Sequence, residues 1–226
     1  MTFMTAVLRF ISFIDQRINF IRRWPAKANV LDIGCGKGDV LRRFIKLRPD
    51  VDISAVDIDD YSQYLPVGIH FKKLDAASGR LPFEDNSFDG VTIVHVVEHL
   101  NDIKGLVAEI VRILRPGGAL YIETPGLIST KLFKASDIFK SQDGGPLSFH
   151  DDLTHKRLWT FVDIKSVTNG MAVVDMKSGV YRNWLYTIIS PLLIVFGYVL
   201  RKRRWFVVGI HHLIGWSMYF TASKRK

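Results

Sequence analysis

Val30-Leu31-Asp32-Ile33-Gly34-Cys35-Gly36-Lys37-Gly38-Asp39 reads as a short buried strand, a glycine-dense turn and the start of a helix. Glycine at three alternate positions lets the backbone take φ > 0 and pass close to a ligand, and the first turn of the helix beyond offers free N–H groups. Such a junction suits the phosphate or ribose side of a nucleoside cofactor. Dinucleotide binding asks for G-x-G-x-x-G, and the position of its third glycine is occupied here by Asp39. The pattern is G-x-G-x-G, which disfavours a nicotinamide cofactor.

Outward from the turn, Asp39 to Leu47 carries Val40, Leu41, Phe44, Ile45 and Leu47 at helical spacing, and Pro49-Asp50 breaks the chain before Ile53-Ser54-Ala55-Val56-Asp57, a second buried strand. Asp57 lies 25 residues beyond Asp32. A carboxylate at the end of the second strand of a βαβ unit can accept hydrogen bonds from both hydroxyls of a ribose, so Asp57 points to adenosine without choosing its cofactor. The glycine turn and Asp32, together with Phe71 to Ala76, Leu81 to His95 and Ile113 to Ile122, resemble the class I S-adenosylmethionine-dependent methyltransferases of the small-molecule, methyltransferase domain 11 type. The likeness spans about residues 28 to 125.

That resemblance implies a Rossmann-like, doubly wound α/β fold with a seven-stranded, mostly parallel sheet, an antiparallel last strand and an apolar helical insertion before it. It implies S-adenosyl-L-methionine as cofactor, held by Asp32, Gly34, Cys35, Gly36 and Gly38 at the first turn, Asp57 and Ile58 after the second strand, Asp75 and Ala76 after the third, and His95 after the fourth. Thr154-His155 precedes a helix capped by Thr160, and in the family this pair lies over the active site. His155 and His95 are therefore the candidates for a catalytic base if the acceptor is a hydroxyl. No metal is expected, although His95, Glu98, His99 and His155 resemble the Glu-x-x-Glu-His and distant His of RNA-terminal 2′-O-methyltransferases, with His95 in place of the first Glu. Cys35 reads as a small residue of the turn, and a single cysteine excludes a disulfide framework.

The formal charge of +9 is unevenly spread. Residues 176–226 hold nine Lys and Arg and no acid, residues 1–27 hold five bases and one acid, and residues 28–175 are mildly acidic. Residues 1–27 form an amphipathic helix over 1–24: Met4, Val7, Leu8, Ile11, Ile14, Ile18 and Ile21 share a face that Phe3, Phe10, Phe13 and Phe20 widen. It is not a cleavable signal, because Arg9 interrupts the apolar run. It packs across the sheet edge or lies on a membrane. The core follows over 28–180, with a glycine-rich lid expected from Pro125 to Leu147 and a sixth strand from Met171 to Val180.

Residues 181–213 form an apolar, basic insertion. Trp184 to Leu200 is uncharged over 17 residues, though Pro191 interrupts it, and Arg201-Lys202-Arg203-Arg204 precedes a second uncharged run. A crossing needs about 20 residues. One crossing would also strand the last strand, Gly215 to Thr221 within the terminal segment 214–226, on the wrong side of the bilayer. Monotopic insertion follows, with Trp184, Tyr186, Tyr198, Trp205 and Phe206 at headgroup level and the basic cluster on phosphates; a dimer interface or a cap over the substrate are the alternatives. The partners expected are a small-molecule or lipid-linked acceptor and an anionic membrane surface, with no nucleic acid, and the location is cytoplasmic, peripheral or monotopic on the inner face of the membrane. A glycolipid or quinone-type precursor methylated on oxygen fits these partners. A non-catalytic membrane-bound domain and a nicotinamide oxidoreductase are the rival readings.

Overall fold

The computed structural model describes residues 15–140 and 145–226. The decisive stretch forms β1 (Asn29–Ile33), which puts Val30 on one face of the sheet and Leu31 and Ile33 on the other, all three buried. Around it the chain lays down α1 (Gln16–Ile21), α2 (Asp39–Leu47), β2 (Asp52–Asp57), β3 (Ile69–Lys73), β4 (Phe88–Val94), α3 (Lys104–Ile113), β5 (Leu114–Pro125), α4 (Phe161–Val167), β6 (Val173–Val180), α5 (Trp184–Val199), α6 (Arg203–Ile214) and β7 (Ser217–Lys224). The seven strands form one sheet in the order β3-β2-β1-β4-β5-β7-β6. The first five pair in parallel, and β7 runs antiparallel to both β5 and β6. This is the doubly wound α/β architecture with an antiparallel last strand that the motifs imply, and the chain leaves the sheet at the carboxyl ends of β1 to β4 on one rim.

Two apolar layers cover the sheet. On one face Leu31, Ile33, Val91 and Ile93 meet Leu106, Ile110 and Ile113 of α3 and the indole of Trp159, whose N–H donates to Val97 O at 2.8 Å. On the other face Val30 and Ala55 meet Leu41 and Phe44 of α2 together with Phe20, Ile21 and Trp24. Of the amphipathic helix expected over 1–24, the part before Asp15 lies outside the described residues. The part described is core: Asp15 caps α1, and Phe20 sits edge-on to Trp24 at 5.7 Å instead of widening a lipid-facing surface.

α5 and α6 form a helical hairpin inserted between β6 and β7. Two glycines let the helices touch, since a Cβ on Gly197 would lie 2.4 Å from Phe206 N and one on Gly209 would lie 3.0 Å from Ser190 O. Pro191 does not end α5 as the sequence suggests, because one missing N–H removes one ladder bond and the packing of the hairpin retains the rest of the helix. Two further expectations are corrected at its base. Phe206 is buried against Phe139 at 5.2 Å, and Arg203 is 8% exposed with Nη2 donating to Gly145 O at 3.0 Å, so neither faces a headgroup layer. The expected lid, residues 125–147, is packed down over its described part, where Ala135, Phe139 and Leu147 share a buried cluster with Phe206 and Val207. Exposed apolar side chains are concentrated on the hairpin's outer face, including Leu185, Ile188, Leu192, Val195 and Phe196. Among the described residues no helix is long and apolar enough to cross a membrane.

Candidate active site

The glycine turn carries φ of +76° at Gly34, +49° at Gly36 and +80° at Gly38, all in the left-handed region that L side chains avoid. The three glycines do different work. A Cβ on Gly34 would meet Val96 Cγ2 at 2.1 Å and one on Gly38 would meet Leu65 Cδ2 at 2.8 Å, whereas one on Gly36 would meet no atom within 4 Å. Gly36 thus borders the open space of the cradle. Its N–H donates to Asp57 Oδ2 at 2.8 Å, and Asp57 Oδ1 accepts from Asp59 N at 3.1 Å, so the carboxylate at the end of β2 and the turn are one unit. Beside it Ile58 is 59% exposed, an apolar surface presented to solvent at the rim. Asp75 follows β3 on the same rim, with Oδ1 bound to Ala77 N at 2.9 Å and Ala76 half-buried between them.

Two residues of the motif are more buried than a ligand contact requires. The Asp32 carboxyl accepts from Thr92 Oγ1 at 2.5 Å under the turn, and burial pushes its pKa up to about 7 against the lowering effect of that bond. Asp32 therefore supports the turn from beneath. Burial likewise pushes the Cys35 thiol up to about 12, with the nearby carboxyls of Asp32 and Asp57 adding to it, which removes any nucleophilic role and leaves the small residue expected.

His95 leaves β4 with φ of +57°, a conformation held by its N–H on Glu123 O at 2.9 Å. Its ring lies between two buried carboxylates: Nδ1 is 3.0 Å from Glu98 Oε1, and Nε2 is 3.5 Å from Glu123 Oε1 and 3.4 Å from Ser217 Oγ. Burial alone would lower its pKa, but hydrogen bonds to Glu123 and Glu98 outweigh it and raise the value to about 9. That shift favours the imidazolium at neutral pH, which weighs against a ready proton acceptor and for a fixed cation at this position. Glu123 is itself held well below the usual carboxylate range; burial would raise it, and Arg17 and His95 more than offset that. Arg17 reaches it from α1, and Tyr121 donates to the same carboxylate at 2.9 Å.

This cluster forms the floor of a cavity of about 370 Å³ between the sheet rim, α2 and the helical hairpin. Arg43, Tyr186, Leu193, Arg204, Trp205 and Val208 are among its walls. His155, the other candidate base, does not line it. Its side chain is 4% exposed, its Nδ1 lies 2.7 Å from Phe149 O, and its ring packs 5.0 Å from His99. Glu98, His99 and His155 bring one ligand atom each within 4.8 Å of one another, and His95 touches this group only through Glu98, with Nδ1 3.0 Å from Oε1 while its Nε2 faces Glu123. Glu98 is already committed to His95 and to Thr124 Oγ1. The tertiary assembly of Arg17, Arg43 and the hairpin around His95 had no motif to announce it; only the basic bias of both ends hinted at it.

Residues 31–122 match the methyltransferase domain family. The ubiquinone/menaquinone biosynthesis C-methyltransferase UbiE of Dinoroseobacter shibae is 33% identical over 125 residues, covering 50% of this chain and 49% of that protein. The 24-methylenesterol C-methyltransferase 2 of Arabidopsis thaliana is 33% identical over 132 residues, covering 54% of this chain and 35% of that protein. The chain thus spans about half or less of the length of these two relatives. In fold, a SAM-dependent methyltransferase from Archaeoglobus fulgidus superposes with a TM-score of 0.63 over 98% of this chain and 94% of that one, at 20% identity.

Proposed function

We propose that this chain, whose residues 31–122 are a class I S-adenosylmethionine-dependent methyltransferase domain, moves the methyl group of S-adenosyl-L-methionine to a small or lipid-linked acceptor at the inner face of an anionic membrane. The observation that carries the reading is the open cradle at Gly36, bonded to the Asp57 carboxylate, on the same strand rim as the cavity floored by His95. The donor set fits the cofactor: Asp57 offers acceptor oxygens for a ribose, Ile58 an apolar face for a base, Asp75 an acceptor for an amino group, and α2 the N–H groups of its first turn. When bound, the cofactor supplies a methyl already activated on a sulfonium.

The chain's own residues then align the acceptor and exclude water. The imidazolium of His95, with Nδ1 toward Glu98 and Nε2 toward Glu123, sets a fixed positive charge at the floor of the cavity without reorganising. Trp216 packs 5.7 Å from the His95 ring and covers it. Membrane-surface action is supported by the exposed apolar face of α5, where Ile188 is 75% and Leu192 60% exposed, next to exposed Arg201 and Lys202. Calorimetry with S-adenosylhomocysteine and with NADH tests the cofactor reading. Binding of the first alone is expected; binding of NADH would favour an oxidoreductase, and binding of neither a non-catalytic domain.

A further inference from the structure

Charge within the cavity is unbalanced in a way that constrains what enters it. Glu123 is the single carboxylate among the lining residues, and it is cancelled by the Arg17 guanidinium, whose Nε is 2.7 Å from Oε2, while the charge of His95 is met by the buried Glu98 at 3.0 Å from Nδ1. His211 and His212 also line the cavity, and burial lowers them to about 3 and about 4, so both are neutral. Arg43 and Arg204 remain. Both line the cavity, both are exposed, and neither has a hydrogen-bond or ion-pair partner among the described residues. Beside them Leu193, Trp205 and Val208 provide an apolar wall, and Trp205 is 46% exposed.

We infer that the acceptor carries a phosphate-type anion, bound by Arg43 from α2 and Arg204 from α6, with its apolar part lying along Leu193, Trp205 and Val208. Two guanidinium forks without counter-ions match an oxyanion of charge near minus two, which accepts bidentate bonds from both. A single carboxylate would leave one fork unpaired. Leu193 and Val208 sit on the two helices of the hairpin and the exposed Trp205 links the cavity to the hairpin's apolar face, so a chain attached to the anion has an apolar path to a lipid surface. This assignment rests on the methyl-transfer reading for what happens at His95, but the anion site itself is independent of it.

The test is calorimetry on the full chain saturated with S-adenosylhomocysteine, titrated below micelle formation with dodecyl phosphate, dodecyl maltoside or inorganic phosphate. Dodecyl phosphate should bind at least about tenfold more tightly than dodecyl maltoside, because charge-assisted bonds are lost in the uncharged analogue. The double variant Arg43→Gln, Arg204→Gln should erase that difference and leave S-adenosylhomocysteine affinity unchanged, which also reports that it is folded; Arg43→Lys with Arg204→Lys should restore part of it. Inorganic phosphate binding much more weakly than dodecyl phosphate assigns the anion to a lipid-linked acceptor, and equal binding assigns it to a water-soluble phosphorylated one. Equal affinity for dodecyl phosphate and dodecyl maltoside, or a difference that survives the Gln variants, overturns the proposal. Failure of S-adenosylhomocysteine to bind while dodecyl phosphate still does so would overturn the methyl-transfer reading and spare the anion site.

Discussion

Arg17 forks onto Glu123, with Nε 2.7 Å from Oε2 and Nη2 2.5 Å from Oε1, and so ties the segment before the first strand to the tip of β5. The same guanidinium lies 4.3 Å over the Tyr181 ring, and the Tyr181 hydroxyl donates to the buried Asp15 at 3.0 Å. The chain ahead of the sheet is thereby part of the cavity floor.

Removing one partner of this pair leaves the other charge buried. Arg17→Ala should destabilise the protein by about 3 kcal/mol, and Glu123→Gln should do the same in kind. The double variant should cost clearly less than the two single costs added together, because the orphaned charge is gone. Urea denaturation of the four proteins in the cycle measures it; additive costs would mean that the two groups do not interact.

The raised pKa of His95 has a definite consequence for stability. Its unfolded value is about 6.5, so the folded state binds the extra proton and the stabilisation is complete below that pH and lost as the pH climbs through about 9. Melting temperature should therefore fall more steeply between about pH 6.5 and pH 9 in the wild type than in His95→Gln, which has no proton to lose there. Parallel profiles would show that His95 is not held charged by Glu98 and Glu123.

Gly36 and Gly34 should respond differently to alanine. Both substitutions force an L residue to positive φ, at about 1–2 kcal/mol. At Gly36 the added methyl meets only open cradle, so the protein should fold and lose S-adenosylhomocysteine binding; at Gly34 it collides with Val96, so folding itself should suffer more. Thermal melts paired with calorimetry separate the two outcomes, and undiminished cofactor binding by Gly36→Ala would move the ligand elsewhere.

Asp57→Ala removes both the predicted ribose contact and the bond to Gly36 N–H. Loss of charge-assisted hydrogen bonds of this kind is worth about 1.5–3 kcal/mol, roughly tenfold to a hundredfold in S-adenosylhomocysteine affinity. An unchanged dissociation constant in a folded variant would take Asp57 out of the site.

Binding to anionic liposomes should depend on the hairpin's outer face. Arg201→Gln and Lys202→Gln should each remove about 1 kcal/mol of attraction at low salt, whereas Ile188→Asp and Leu192→Asp should remove the part that salt does not screen. Arg203→Gln is expected to disturb folding instead, since that side chain is buried and bonded to Gly145 O. Flotation assays on these variants decide the matter, and a wild-type protein that ignores anionic liposomes at low salt ends the membrane reading.

The local part of this protein was legible in its residues. The strand-turn-helix at 30–39 needs glycine at three positions of positive φ, α2 spans the stretch from Asp39 to Leu47 that its apolar spacing defines, and Thr160 caps α4 through a reciprocal bond with Asp163. Each is set by interactions within a few residues, which a sequence displays directly. Long-range assembly was not legible in the same way. Nothing in the residue string brings Arg17 to Glu123, or Arg43 and Arg204 to one cavity, because those pairs are joined only when α1, α2 and the hairpin pack on the rim of the sheet. For the same reason Phe206 and Arg203, which read as facing headgroups, turned inward: Phe206 packs against Ala135, Phe139 and Leu147 and Arg203 bonds Gly145 O, contacts that depend on where a loop some 60 residues earlier folds back. The protonation of His95 was hidden on the same grounds, since the charge state of an imidazole is decided by the carboxylates that tertiary structure places beside it.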